Sequence, residues 1–560
     1  MKRTVFPFFL LFFAIFTMNV VSADILVYRT LPVKVYRDKM KAGWVGQIAG
    51  VSWGAPTEFR WCDRIIPEEE MPKWRPEMIN DAFGQDDLYV EMTFLRTLEE
   101  YGLDVCIRQA GIDFANSEYP LWCANDAGRK NLRRGIAPPD SSHPKFSSRG
   151  NDIDYQIEAD FSGLIAPGMP NTAIALGEKF GRLMNYGDGM YAGQFIGGMY
   201  AEAFFEDDIL KIIAAGLECI PAECQYAEMV RDVVRWYQEN PEDWKITWQL
   251  CQKKYREDPE YQKASNGGID VKINGAYILI GLLYGEKDLD DTIIISTRCG
   301  QDSDCNPSNA GGVLFTALGF SALPPRFSEK LDEETHFVYT AYNVPKLLAV
   351  CEKLTREILE KEGGYVETDE NGEEVFVIRV KEPIPSKLEL TWAPEPEAGS
   401  VYTEEEMAKI RVHEFRNLQE AVSAKFPGWK ISQCGPDMEP GMRGYYRGKE
   451  QVLMTHPLVK DVSCVLSREV DVPRDAKTVL RAVVSHHDDG DWEFVLRING
   501  SEQLRKLISE ETVDADGWLE IMYDLSDFAG TDGLNVEVEN APNGWSWEAG
   551  YWDVLEVVSE

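Results

Sequence analysis

Histidine is scarce in this chain: six in 560 residues, with only His143 and His336 among the first 400. A histidine-rich zinc site is therefore not expected in that stretch, and any metal bound there needs oxygen ligands. Basic residues are also short, 57 against 94 acidic ones, for a formal charge of −37. Such a surface repels nucleic acid and anionic membranes, because phosphate contacts require clustered Lys and Arg. No Cys-x-x-Cys pair occurs among the eleven cysteines. Their odd number leaves at least one thiol unpaired, so no disulfide framework is expected, and most should behave as small buried hydrophobes. Beyond the first residues no apolar run is long enough to cross a bilayer, so no membrane span is expected in the mature chain. Internal repeats and low-complexity tracts are absent too.

What is present begins with an export signal. Lys2 and Arg3 precede the run VFPFFLLFFAIF, and Val21-Ser22-Ala23 forms a small-residue cleavage site. A signal peptide is expected over residues 1–23, with export to the periplasm or the medium. From about Val33 to Glu362 the apolar spacing is helical. The segment YRDKMKAGWVGQIAGVSWG sets Gly43, Gly46, Gly50 and Gly54 on one face at steps of three and four. Glycine weakens a helix, so such a stripe implies that something approaches this backbone closely. The pattern then changes. YVETDENGEEVFVIRV reads as a β-hairpin around an Asn-Gly turn, and KEPIPSKLELTWAPEPEAG is Pro-rich and reads as a linker. After a short helical piece the remainder alternates apolar and polar residues, as an antiparallel sandwich or jelly roll does. The expected division is a helical catalytic domain over 24–362, hairpin and linker over 363–410, and a β-sandwich over 411–560.

Carboxylates cluster beside glycine in three places: Glu58 in GAPTEF, Asp86 and Asp87 in FGQDDLYVEM, and Asp302 and Asp304 in GQDSDCNPSNAGG. Carboxylates from separate elements commonly converge on Mg²⁺ or Ca²⁺. An aspartate at a helix start is more often a cap, and taken alone the QDD run favours that reading. A calcium loop is excluded for DSDCN, because Pro307 stands where the loop needs glycine and Val313 where it needs the bidentate acid. Between these segments, Asp154 and Glu158 lie at helical i,i+4 spacing, flanked by Asp152 and Asp160. Asp188 sits in a glycine turn, and Asn125 follows Trp122 on a loop or helix edge. Each of these faces a bland alternative, a solvated helix face or a structural turn. The run DDTIIIST reads by propensity as a strand.

Taken in order, the three acidic segments resemble the ADP-ribosylglycohydrolase family across roughly Val33 to Phe320. GAPTEF resembles its Gly-x-x-x-Glu-type loop, QDD its Thr-Asp-Asp motif, and GQDSDC, with the small-residue segment after it, its late Gly-Asp-x-Asp-Thr motif. The resemblance implies an all-α orthogonal bundle, with a helix at DDTIIIST, around one or two Mg²⁺ ions. It implies Gln85, Asp86, Asp87, Asp302 and Asp304 as metal ligands, and Glu58 and Asp302 as the catalytic pair. Asn125, Asp154, Glu158, Asp160 and Asp188 become substrate-binding candidates. Two departures stand out: Gln85 replaces a threonine, and Cys305 replaces the last ligand. A thiol is a poor Mg²⁺ ligand, which bears directly on the second ion.

The expectation is thus an exported, Mg²⁺-dependent hydrolase of an N- or O-glycosidic bond, acting on an ADP-ribosyl group or a carbohydrate. The alternative is a noncatalytic glycan-binding protein on a degenerate glycohydrolase scaffold. The C-terminal sandwich is a candidate carbohydrate-binding unit, since Trp429, Trp492, Trp518, Trp545, Trp547 and Trp552 suit sugar stacking. Most of them are expected in its core.

Overall fold

The glycine stripe is answered by a second helix. In the computed structural model, which describes residues 26–411, 418–435, 437–545 and 547–559, the helix Val33–Gly54 lies against the helix Cys305–Leu318. A Cβ on Gly46 would stand 2.5 Å from the Gly311 carbonyl oxygen, one on Gly50 2.2 Å from that of Pro307, and one on Gly54 2.0 Å from that of Ser303. Main chain therefore meets main chain along three turns, a separation only glycine permits. The consequence is positional: the late acidic segment is fixed against the end of the first helix.

Around this pair the N-terminal unit is helical. The DDTIIIST run is the helix Leu289–Arg298, not the strand its β-branched residues suggest. Two local forces decide this. Asp288 caps the helix, accepting hydrogen bonds from the backbone N–H of Asp290 and Asp291, each at 2.9 Å. Thr292 and Ser296 then pack onto Gly281 of the preceding helix Val271–Tyr284 and onto Gly285, which caps it, where any Cβ would collide with them. Tertiary packing overrides the propensity of the isoleucines.

The hairpin forms as expected, with Tyr365–Thr368 antiparallel to Glu374–Arg379 and Gly372 at φ 80° in its turn. A third strand, Tyr28–Pro32, pairs with Glu374–Arg379 and closes a small sheet against the first helix. The stretch read as a linker is irregular but not free. Tyr191 Oη donates to the Lys387 carbonyl at 2.6 Å and accepts from the Glu389 N–H at 2.8 Å. The Asp140 carboxylate accepts from the N–H groups of Ala398 and Ser400 at 2.9 and 2.7 Å. The segment is thus a strap along the helical unit, because its proline-interrupted backbone takes side-chain partners in place of a ladder.

Beyond it, ten strands among the described residues form two five-stranded antiparallel sheets. One runs Ser501–Ile508, Trp492–Ile498, Thr531–Ala541, Cys464–Val472, Lys430–Ser432; the other runs Leu519–Asp524, Thr478–His486, Gly550–Ser559, Lys449–Thr455, Gly441–Tyr446. Their facing sides enclose Trp429, Trp492, Phe494 and Trp552, with the rings of Trp492 and Trp552 5.2 Å apart. This is a sandwich. Four of the six tryptophans named above are core; Trp545 and Trp547 are exposed, at 37% and 48%. No helix among the described residues is long and apolar enough to cross a membrane. The expected signal peptide lies outside the described residues.

Candidate active site

Three backbone devices bring the acidic segments together. After the first helix, a 3₁₀ turn over Ala55–Thr57 places Glu58 in extended backbone. That loop is pinned to the late segment: Thr57 Oγ1 and Ser303 Oγ are 2.8 Å apart, and the Phe59 N–H donates to the Gln301 carbonyl at 3.0 Å. In the late segment, Gly300 and Gln301 both have positive φ, 86° and 57°. They reverse the chain between the helix Leu289–Arg298 and the helix Cys305–Leu318. At Gly300 a Cβ would stand 2.5 Å from the Trp61 carbonyl oxygen, so the reversal needs glycine twice over. The third segment enters from the 3₁₀ helix Pro76–Gly84, whose extended successor Gln85 starts the helix Asp86–Tyr101. Neither Gln85 nor Asp304 caps its helix with a side-chain hydrogen bond.

The segments meet at a cavity of about 590 Å³. Glu58, Gln85, Asp86, Asn125, Asp154 and Asp302 all line it. Asp87 and Asp304 are buried immediately behind. The Cys305 thiol, which reaches the cavity wall, donates to Asp87 Oδ1 at 3.0 Å. Glu158 is fully buried and accepts a short hydrogen bond from the Asn125 amide. Asp154 accepts from the N–H groups of Ala124 and Asn125 at 3.1 and 2.8 Å, so it orders the start of the helix Cys123–Arg133 as well as facing the cavity.

Asp160 and Asp188 are not brought to the cavity. Asp160 is fully buried, bonded by Tyr200 Oη at 2.9 Å and the Asn309 amide at 2.7 Å, while Asp188 accepts from the Tyr226 N–H at 3.0 Å. Both side chains hold helices together. The aromatic wall of Phe59, Tyr89 and Trp122 faces the same space, as do Asn266 and Ile269 from the far side. Exposed Trp122, three residues before Asn125, carried some sequence signal; Asn266 and Ile269, in an unpatterned stretch, carried none.

Electrostatics set the chemistry. Burial, then the charges of Asp304 and Asp86, push the Glu58 carboxyl up to about 7 at the cavity rim. Burial and Asp304 push Asp86 up to about 6. Asp87 and Asp302 are raised well above the ordinary carboxylate range, by burial first and by each other's neighbours second. Two helix N-termini face the cluster and offset part of this repulsion, but among the described residues no Lys or Arg forms an ion pair with these carboxylates.

Unpaired buried oxygens test whether a cation suits the cluster. Asp87 Oδ2, Asp302 Oδ1 and Asp304 Oδ1 are buried and have no hydrogen-bond partner. Leaving such groups unmatched costs a few kcal/mol each, on the order of 1–3, and a divalent cation would satisfy those it reaches. Ligand atoms from Asp302, Asp304 and Cys305 lie within 4.8 Å of one another, close enough to share one ion. The donor set suits a metal.

A family model for ADP-ribosylglycohydrolases matches residues 32–363, well over half of the chain. The chain belongs to the ADP-ribosylglycohydrolase family. Membership assigns the helical unit, at a coarse level, to glycosidic-bond hydrolases acting on small-molecule or glycan substrates. Among solved structures, this ADP-ribosylglycohydrolase-family chain is similar to an ADP-ribosylglycohydrolase-related protein complex, at 14% identity and TM-score 0.36, over 58% of this chain and 99% of that one. It is also similar to CBM35 from Paenibacillus barcinonensis (12% identity, TM-score 0.18, 24% of this chain and 96% of that one). A third similarity is to the CBM22-1 xylan-binding domain from Paenibacillus barcinonensis (10%, TM-score 0.19, 24% and 87%). No curated protein matches the chain.

Proposed function

We propose that this family member is an exported, metal-dependent hydrolase that cleaves an N- or O-glycosidic bond at an anomeric carbon. The observation that carries the reading is the convergence of Glu58, Asp86 and Asp302 on one cavity, with three unpartnered carboxylate oxygens at its floor. Asp86, Asp87, Asp302 and Asp304, with the Gln85 carbonyl, would hold one or two divalent cations, Mg²⁺ by the family resemblance. A bound cation supplies Lewis acidity and a fixed frame for sugar hydroxyls.

The remaining steps belong to the chain. Glu58, whose carboxyl is raised first by burial, holds a proton and gives it to the leaving oxygen or nitrogen as the glycosidic bond lengthens. Alternatively, a deprotonated Glu58 takes a proton from the attacking water as general base, and another group serves the leaving atom. Asn125 and Asp154 lie where they can bond sugar hydroxyls, and Asn125 in turn is oriented by Glu158. Phe59, Tyr89 and Trp122 offer stacking faces and exclude water from one side of the cavity. The exposed Trp545 and Trp547 support a carbohydrate-binding role for the sandwich.

The deciding experiment assays purified protein, with and without chelator, on ADP-ribosyl-arginine, ADP-ribosyl-serine, aryl glycosides and oligosaccharides. Turnover that chelation abolishes and a divalent cation restores is expected. Turnover indifferent to chelation would overturn the metal reading. Sugar binding without turnover anywhere in the panel would favour a glycan-binding protein on this scaffold.

A further inference from the structure

Cys305 is the one donor in the cluster that does not suit a hard cation. It opens the helix Cys305–Leu318, is 4% exposed, and reaches both the cavity and Asp87. Chain continuity sets it beside Asp304, and its hydrogen bond sets it on the carboxylate of the other acidic segment. Sulfur therefore stands at the junction of the two halves of the site. The unpartnered oxygens of Asp87, Asp302 and Asp304 point to a ligand at the same place. Ligand atoms of Asp302, Asp304 and Cys305 lie within 4.8 Å of one another, three donors that leave one position of a tetrahedral ion open.

Mg²⁺ demands octahedral oxygen ligation and does not favour sulfur, whereas thiolate ligands select borderline and soft ions. Resting on the metal-dependent reading above, we propose that Cys305 is a metal ligand. The cation position beside it then takes Zn²⁺, or Co²⁺ in its place, in preference to Mg²⁺. Binding breaks the S–H bond, forms a sulfur–metal bond and releases the proton to water, with no change of oxidation state. The hydrogen bond to Asp87 Oδ1 is lost in the same step, which frees that oxygen. If Cys305 is merely a first-turn packing residue, it keeps its proton and the metal preference of the site ignores it.

The test uses the full chain, stripped by chelation and titrated with Mg²⁺, Zn²⁺ and Co²⁺ by calorimetry, with the Co²⁺ complex followed by absorption. Zn²⁺ is expected to bind at least about tenfold more tightly than Mg²⁺. The Co²⁺ complex should show a sulfur-to-metal charge-transfer band. Cys62 and Cys123 also line the cavity, so the band must vanish in Cys305→Ser and persist in Cys62→Ser and Cys123→Ser. Cys305→Ser should also weaken Zn²⁺ by at least the roughly 10- to 100-fold that losing a supporting partner of a metal ligand costs.

A wild-type Co²⁺ complex with no such band, together with Mg²⁺ binding as tight as Zn²⁺, would overturn the sulfur ligand and leave the metal reading intact. A band surviving Cys305→Ser would overturn the assignment to this residue. No uptake of any cation would sink the metal reading itself. If Cys305→Ser fails to fold, a wild-type band that persists in a Cys62→Ser/Cys123→Ser double variant still assigns the sulfur to Cys305, and one that vanishes there overturns the assignment.

Discussion

The helical unit and the sandwich solve the same packing problem with opposite materials. The helical unit buries Asp87, Glu91, Asp154, Glu158, Asp302 and Asp304, and seats them by bringing glycine backbones into contact. The sandwich buries Glu548 as its single carboxylate among the described residues, and fills its middle with Trp429, Trp492 and Trp552. Burying unpaired carboxylates is unfavourable, so the first unit gives up stability to hold a reactive cluster. The second unit puts its tryptophans into stability and leaves polar chemistry to its rim. The contrast separates the part built to react from the part built to persist.

The strongest way to break this comparison is to exchange the consequences. Asp302→Ala should remove cation uptake and reduce turnover by at least about 10³-fold, the several kcal/mol that a metal-assisted step is worth. Calorimetry and a turnover assay check both, and retained turnover would show that the ligand assignment is wrong. Trp492→Ala should do the reverse, lowering sandwich stability by about 3–5 kcal/mol while turnover of the remaining folded protein stays unchanged.

Gly54→Val places side-chain atoms against the Ser303 carbonyl and should cost about 1–3 kcal/mol or more, with a loss of turnover that exceeds the loss of fold. Gly444→Ala in the sandwich, where a Cβ meets nothing within 4 Å, should stay within about 0.5 kcal/mol by thermal unfolding.

Proton linkage sharpens the contrast more gently. Asp152 is raised from 3.8 to about 8, by burial first and the Asp154 charge second. Between those values the unfolded chain has lost a proton that the folded chain still holds, so stability contributed by this group falls as pH rises. In chelator, the midpoint followed by helical ellipticity should drop between about pH 4 and pH 8. The sandwich transition, followed by tryptophan fluorescence, should move less.

Much of the site was legible because its chemistry is local in the chain. Glu58, Asp86 and Asp302 each sit in a short glycine-flanked motif, and the stripe from Gly43 to Gly54 announced a close approach. What approached was not legible, since Ser303, Pro307 and Gly311 offer only backbone to that contact. The same limit applies to Asp160 and Asp188. Their spacing resembled that of cavity residues, yet Tyr200, Asn309 and the Tyr226 N–H draw them into the packing from distant segments. The strand Tyr28–Pro32 was missed because its partner, Glu374–Arg379, lies over 340 residues away. The isoleucine helix was misjudged by propensity because its glycine neighbours are on another element.

The contact between Gly54 and Ser303 also says where this protein can change. A junction of bare backbones has no rotamers to rearrange, so a substitution there cannot be absorbed locally and shifts every ligand that follows it. The walls are different: Phe59 and Trp122 stand partly in solvent, with room on one side. A laboratory selection for a new leaving group should therefore accumulate changes on the walls and leave the floor as it is. The scaffold has divided itself into a fixed anvil and replaceable jaws.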